Sequence, residues 1–78
     1  MSTPIFTLDQ LKPGESGKIV SFNDEENALK FMEMGCTPGE VVLMDSYAPL
    51  GDPLAIIVSG YKLSLRRSEA AYINIEKN

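Results

Sequence analysis

The stretch "APLGDPLAIIVSGYKLSLRRSEA", residues 48–70, decides how the fold of this chain is predicted. A two-residue turn at Ser59-Gly60 makes its centre a hairpin in which large apolar residues face one another in pairs. On one side of that hairpin the pairs are Val58 with Tyr61, Ile56 with Leu63, and Leu54 with Leu65. A single apolar face is typical of a half-buried antiparallel sheet, because successive side chains of a strand point to opposite sides. The stretch therefore predicts a hairpin packed on a core.

Two Pro-Gly dipeptides mark further turns. Pro13-Gly14 and Pro38-Gly39 fit the central positions of type II turns, where proline presets φ and glycine accepts a positive φ. Each turn precedes a predicted strand, about residues 16–22 and 40–46, and "YINIE", residues 72–76, supplies the last strand. Together with the hairpin, these segments predict about five short antiparallel strands.

"NDEENALKFMEMG", residues 23–35, predicts the one α-helix of the chain. Asn23 or Asp24 caps its start, acidic residues follow at the positive end of the helix dipole, and Gly35 ends it. The apolar residues along one side of this helix are expected to pack on the sheet. They are Ala28, Leu29 and Met32.

Two short helical turns complete the predicted fold. One lies within "TLDQL", residues 7–11, and the other is "SEAA", residues 68–71, with Ser68 as its cap. Strands, helix and turns together describe a mostly β fold, a small SH3-like barrel that is closed or nearly closed. A chain of 78 residues has room for a single domain, which we expect to span residues 1–78. An unpaired strand edge in such a barrel allows weak self-association.

Charge and hydropathy limit the classes of partner. Eleven acidic and seven basic residues give a net charge of −4, which disfavours nucleic acid and favours a protein with a basic patch. The longest apolar run, Leu54 to Val58, is far shorter than the roughly 20 residues of a membrane-spanning helix. The start "MSTPIFTLDQ" lacks a secretory pattern, and a single cysteine, Cys36, is typical of a reducing compartment. We therefore expect a cytoplasmic protein that reaches a membrane only through a partner.

The side chains offer little for catalysis or metal binding. The chain contains no histidine, the commonest general base and a frequent metal ligand at neutral pH. Cys36 has no cysteine or histidine companion, which favours a small buried apolar residue over a metal site. Met32, Met34 and Met44 have spacings typical of core filling. We therefore expect no enzymatic activity, no cofactor and no metal site.

The loop before the hairpin is predicted to be stiff. Pro49 and Gly51 fit a type I turn at its start, and Asp52 before Pro53 favours an extended backbone. A stiff loop loses little entropy on binding, so it can present Leu50 as an apolar tip and Asp52 as an acceptor. The alternative is a structural corner with Leu50 turned inward.

Two adjacent arginines follow the hairpin. Arg66 and Arg67 leave the strand on opposite sides, and at most one of them can pair with Glu69. The other is then free for a carboxylate or phosphate outside the domain, unless both are simply solvated. On the outer hairpin face Ile57 lies beside Lys62, and that face is either covered within the barrel, which we favour, or part of a contact surface.

Four segments resemble the FeoA family, whose small SH3-like members accompany the large membrane transporter of bacterial ferrous iron uptake. They are "LKPGESGKI", "KFMEMGCTPGE", "APLGDPLAIIVSGYKLSLRRSEA" and "INI", and the resemblance runs from about Phe6 to Ile75. It implies an accessory or regulatory protein that binds the intracellular GTPase-bearing part of that transporter. The residues predicted to make this contact are Leu50, Asp52, Tyr61, Lys62, Arg66 and Arg67.

The sequence departs from the family pattern at three positions. Lys30 stands where the family often has arginine, Ser59 stands where a basic residue is common, and Cys36 replaces a larger apolar residue. Lysine keeps the charge of arginine but loses its bidentate geometry. A partner contact is therefore not carried over from the family to residues 30 and 59.

Three alternative functions remain open at this point. Arg66 or Arg67 would stabilise phosphoryl transfer in trans on the transporter's GTPase. In the second alternative the chain binds ferrous iron directly, although its carboxylates are not clustered. In the third it acts in trans on a metal-responsive repressor, because related SH3-like modules are appended to such repressors.

Overall fold

Six antiparallel strands form one sheet over residues 5–77, the part of the chain that the computed structural model describes. In chain order they are β1 (Ile5–Thr7), β2 (Ser16–Phe22), β3 (Val41–Tyr47), β4 (Leu54–Val58), β5 (Tyr61–Leu65) and β6 (Ile73–Lys77). Their order across the sheet is β1-β6-β2-β3-β4-β5. The mostly β architecture confirms the predicted fold class. The strand that sequence patterns missed is β1, because three residues are too few to show an alternation.

Three helical segments accompany the sheet: a 3-10 turn (Leu8–Gln10), α1 (Glu25–Glu33) and α2 (Arg67–Ala70). The 3-10 turn confirms the helical turn predicted near the start of the chain. The start of this 3-10 turn is held by the Thr7 N–H, which donates to Gln10 Oε1 over 2.9 Å. None of the helices within residues 5–77 is long and apolar enough to cross a membrane.

The β4–β5 hairpin has the predicted register. Leu54 lies opposite Leu65 and Val58 lies opposite Tyr61. Both turn residues have positive φ, 52° at Ser59 and 80° at Gly60, as a type I′ turn requires. The side chains that this register buries are Leu54, Ile56, Val58 and Leu65. Tyr61 lies on the same side but beyond the core, and 72% of it is exposed.

Both predicted Pro-Gly turns are present. The φ angles of Gly14 and Gly39 are 92° and 97°, as expected at the third position of a type II turn. The N–H of the glutamate after each glycine closes the turn, with hydrogen bonds of 2.9 and 3.0 Å. These turns therefore lead the chain directly into β2 and β3.

Irregularities in β2 and β3 curve the sheet. Each strand carries one extra residue relative to its partner, Val20 in β2 and Asp45 in β3. Such bulges bend a strand and increase its twist. At Gly17, a Cβ would lie 2.8 Å from the Glu76 carbonyl oxygen, so only glycine lets β2 approach β6 this closely. The sheet thus curls around one core.

The core is a single apolar cluster. It contains Leu8, Leu11, Ile19, Phe31, Cys36, Val42, Met44, Leu54, Ile56, Val58, Leu65, Ala70, Ile73 and Ile75. Cys36 is therefore the buried apolar residue that the sequence predicted. Met44 lies in the core and Met34 packs against it, whereas Met32 is exposed, so the prediction of core filling is wrong for Met32.

Helix α1 begins after Asp24, whose side chain accepts the Glu26 N–H over 3.0 Å, as predicted. The predicted inward side is wrong, because Leu29 is 62% exposed. The core instead receives Phe31, whose ring lies 5.7 Å from that of Phe22. An aromatic ring buries more apolar area than the other candidates, so it determines which side of the helix faces the sheet.

Helix α2 starts earlier than predicted, and Ser68 is not its cap. Arg66 occupies the cap position, and its N–H donates to Glu69 Oε1 over 2.9 Å. The next N–H, that of Arg67, donates to Asp52 Oδ1 over 2.9 Å. A carboxylate from a distant loop therefore does part of the capping, which a search for local capping residues cannot detect.

Candidate functional site

Residues 48–53, which we call the tip loop, connect β3 to β4. The predicted turn is present, because the Gly51 N–H donates to the Ala48 carbonyl oxygen over 2.7 Å. The Ala48 N–H in turn donates to the Pro53 carbonyl oxygen over 2.9 Å and closes the base of the loop. Leu50 lies at the apex and is 97% exposed. The alternative of an inward-facing Leu50 is therefore wrong.

Arg67 is directed towards the tip loop and the start of the chain. Its Nε and Nη2 donate to the Gly51 carbonyl oxygen over 3.1 and 3.0 Å, and its Nη1 donates to the Asp9 carbonyl oxygen over 3.1 Å. The guanidinium carbon also lies 4.9 Å from the centre of the Tyr47 ring, within cation–π range. One side chain thus links three segments of the chain.

Tyr47 extends this network into the backbone before β2. Its hydroxyl donates to the Leu11 carbonyl oxygen, while its ring supports the Arg67 guanidinium. The ring is therefore held at one end by a hydrogen bond and covered on a face by a cation. Sequence patterns did not indicate Tyr47 or Asp9, because both meet Arg67 only through the fold.

Asp52 joins the tip loop to α2. Its Oδ1 accepts the Arg67 N–H, and the peptide bond that follows it, to Pro53, is cis. Its side chain is exposed, and no donor within residues 5–77 reaches its Oδ2. Asp52 thus uses one carboxylate oxygen inside the chain, and its role as an acceptor for a partner stays a prediction.

Arg66 faces solvent, and Glu69 beside it is engaged elsewhere. Lys30 of α1 forms an ion pair of 2.7 Å with Glu69 Oε2 and links the two helices. The hydrogen bond from Lys30, followed by that from the Arg66 N–H, lowers the pKa of the Glu69 carboxyl. Neither arginine side chain forms an ion pair with Glu69, which agrees with the expectation that at most one could pair with it. Among the described residues the Arg66 guanidinium makes no hydrogen bond or ion pair, and it acts on Glu69 only through a Coulombic attraction.

Tyr61 and Lys62 lie at the turn end of β5. Lys62 Nζ forms an ion pair of 3.1 Å with Asp45 Oδ2 across the outer face, and this contact lowers the pKa of the Asp45 carboxyl. Ile57, on the same outer face, is half-buried. At about 3.4 Å per residue, Tyr61 lies roughly 17 Å along the strand direction from Arg66.

The six predicted contact residues therefore fall into two groups. Four lie together at one end of the sheet and form what we call the tip cluster: Leu50, Asp52, Arg66 and Arg67. Tyr61 and Lys62 lie at the other end of β5.

Among residues 5–77, no three side chains of His, Cys, Asp or Glu come close enough to hold a metal ion. Burial raises the pKa of the Cys36 thiol.

Comparison with known proteins identifies the architecture. The sequence model of the FeoA domain matches residues 6–77. A curated relative from Porphyromonas gingivalis, described as a fusion of Fe(2+) transport protein A with the Fe(2+) transporter FeoB, is 34% identical over 70 residues. That match covers 88% of this chain and 8% of the length of the fusion protein.

Solved structures of similar proteins have the same fold. The NMR structure of a FeoA-like protein from Clostridium acetobutylicum matches with a TM-score of 0.89 and 33% identity, covering 99% of this chain and 90% of that one. FeoA of Stenotrophomonas maltophilia, crystallised with zinc and described as a prokaryotic SH3 domain protein, matches with a TM-score of 0.80 and 28% identity, covering 94% and 95%. With a fold that is SH3-like and a match over nearly its whole length, this chain belongs to the FeoA family.

Proposed function

We propose that this chain is a cytoplasmic accessory protein that binds the intracellular GTPase-bearing region of the ferrous iron transporter. The FeoA family is associated with ferrous iron transport. The observation that carries the proposal is the relative in which a FeoA domain and a FeoB transporter share one polypeptide. In this proposal the FeoA domain contacts the transporter through its own surface.

The tip cluster supports a binding role. It combines an exposed apolar side chain and a carboxylate with an unused oxygen, both on a loop that is hydrogen-bonded to itself, with the exposed cation of Arg66 at the start of α2. Protein interfaces typically contain an apolar anchor surrounded by polar groups. A loop that already has its bound shape also loses little conformational entropy on association.

We propose that the chain acts by this contact and not by catalysis. Its partner already has a nucleotide-hydrolysing region, and this chain contains no histidine for acid–base chemistry. Binding that favours one conformation of the transporter is enough to change transport, because a ligand shifts an equilibrium by its difference in affinity for the two states.

Titration of the full-length transporter in nanodiscs with the purified chain tests the proposal. We expect saturable binding in at least one of the nucleotide-free, GDP and GTP-analogue states, with chemical cross-links from this chain to the intracellular region. Empty nanodiscs are the control. Absence of binding in every nucleotide state would reject the proposal.

Two of the alternative functions can be tested with the same purified proteins. Faster GTP hydrolysis on adding the chain, abolished by Arg66→Ala, would point to an arginine that acts in trans. Stoichiometric uptake of ferrous iron in equilibrium dialysis would point to direct metal binding. We expect neither result.

A further inference from the structure

We propose that Leu50 is the anchor of this interaction and enters an apolar pocket on the intracellular region of the transporter, and that Arg67 holds Leu50 in its docking position. This inference rests on the proposed function. It goes further by naming the side chain that is buried on binding, the chemistry of the surface that receives it, and the residue that keeps the loop in shape.

The exposure of Leu50 is the first observation. This side chain is 97% exposed, more than any other exposed large apolar residue in the described part of the chain. Pro49 and Gly51 fix the turn on either side of it, so the loop cannot easily fold Leu50 back onto the core. Covering this leucine with an apolar surface removes it from water and is favourable.

The hydrogen bonding of the tip loop is the second observation. The N–H groups of Ala48 and Gly51 both donate within the loop, and the Gly51 carbonyl oxygen accepts twice from Arg67. Asp52 accepts from the backbone of α2. The N–H groups of Ala48 and Gly51 and the Gly51 carbonyl oxygen are thus paired before any partner arrives, which favours a loop that keeps its shape on binding.

Arginine is required at residue 67 by the geometry of its contacts. Its guanidinium donates to carbonyl oxygens of Gly51 and Asp9, which belong to separate segments, while its central carbon lies over the Tyr47 ring. A lysine has one compact ammonium group and cannot make both hydrogen bonds and the cation–π contact at once. Lysine at residue 67 keeps the charge but releases the loop.

The unused oxygen of Asp52 adds a polar requirement to the partner. Oδ1 is occupied by the Arg67 N–H, whereas Oδ2 has no donor within residues 5–77 and the side chain is exposed. It lies two residues after the apex. The receiving surface therefore needs an apolar pocket large enough for one leucine and a hydrogen-bond donor, arginine or lysine by preference, at its rim.

Three single variants and one double variant in the nanodisc titration test this inference. Leu50→Ala should weaken binding by about 10- to 100-fold, the effect of leaving one leucine side chain unburied. Leu29→Ala is the matched control, because it removes an exposed leucine from α1, and it should stay within about twofold of wild type. Arg67→Lys should weaken binding about 5- to 10-fold, because the competent loop shape becomes a minor population.

The double variant separates positioning from general stability. If Arg67 acts through Leu50, then Arg67→Lys should weaken binding by less than about twofold once Leu50 is already alanine. An undiminished additional loss would overturn the positioning role. In the free chain, NMR relaxation should show lower order parameters at residues 50 and 51 in Arg67→Lys than in wild type, and equal values would overturn it as well.

The outcomes also separate this inference from the proposed function. If the wild-type chain binds and Leu50→Ala binds equally well, the anchor is wrong and the proposed function stands. If the wild-type chain does not bind the transporter in any nucleotide state, both are wrong. Weaker binding by Leu50→Ala and Leu29→Ala alike would show an unspecific apolar contact and would overturn the anchor.

Discussion

The tip loop and helix α1 both expose a leucine, but different kinds of contact hold them to the rest of the chain. Leu50 lies on a loop that is fixed by hydrogen bonds from Arg67 and by its own backbone. Leu29 lies on a helix that is fixed by the burial of Phe31 and by the Lys30–Glu69 ion pair. Exposure alone therefore does not identify a binding residue. The polar network that holds an exposed loop in shape is the more informative feature.

Removing the anchor of α1 should have the largest effect. Phe31→Ala should lower the free energy of unfolding by about 3–5 kcal/mol, because the ring is buried and leaves a cavity under the helix. Chemical denaturation monitored by far-UV circular dichroism measures it. A loss below about 1 kcal/mol would show that the helix is held in place by other contacts.

Removing the Arg67 side chain, which holds the tip loop, should have an intermediate effect on stability. Arg67→Ala should lower the free energy of unfolding by about 1–3 kcal/mol, since two carbonyl oxygens lose their donors and the Tyr47 ring loses its cation. Arg66→Ala is the matched comparison for stability and should cost less than about 0.5 kcal/mol, because its side chain faces solvent. Equal losses in the two variants would contradict the network described for Arg67.

The ion pair between the helices should contribute little, and only above acidic pH. Lys30 and the Arg66 N–H lower the pKa of Glu69 in the folded chain, so the carboxylate favours folding above its ordinary pKa of 4.5 and loses this effect as the pH falls through the lowered value. Glu69→Gln should cost less than about 1 kcal/mol at neutral pH, since the pair is partly exposed to solvent. The difference from wild type should disappear in denaturation curves recorded progressively below pH 4.5. A difference that grows on acidification would contradict this assignment.

The smallest effect on stability should come from the residue with the largest effect on binding. Leu50→Ala should change the free energy of unfolding by less than about 0.5 kcal/mol, because the side chain is almost fully exposed. Thermal and chemical denaturation measure it. A loss above about 1 kcal/mol would mean that Leu50 packs within the chain in solution.

Much of the fold follows from local sequence. The two Pro-Gly turns and the Ser59-Gly60 hairpin depend on residues adjacent in the chain, so the pattern predicts them correctly, including the pairing of Leu54 with Leu65. The inward side of α1 does not follow, because several sides carry apolar residues. Only packing against Phe22 selects Phe31 over Leu29.

The candidate site is likewise only partly predictable from the sequence. Turn chemistry around Pro49 predicts the stiff loop. The direction of Arg67 depends on Asp9, 58 residues away, and on Tyr47, which sequence patterns do not single out. Alternation along a strand states that two arginines point to opposite sides, but it does not state which one meets the loop. Long-range polar contacts are thus the part that sequence reasoning could not supply.

Titration of the isotope-labelled chain with the transporter in nanodiscs, followed through backbone amide signals, tests most directly whether the tip cluster is the docking surface. We expect signals of residues 48, 50–52 and 66–67 to lose intensity first, while those of residues 25–33 in α1 follow only the general broadening of a larger complex, and empty nanodiscs leave both unchanged. Selective loss at residues 25–33 with the tip loop unaffected would contradict the account.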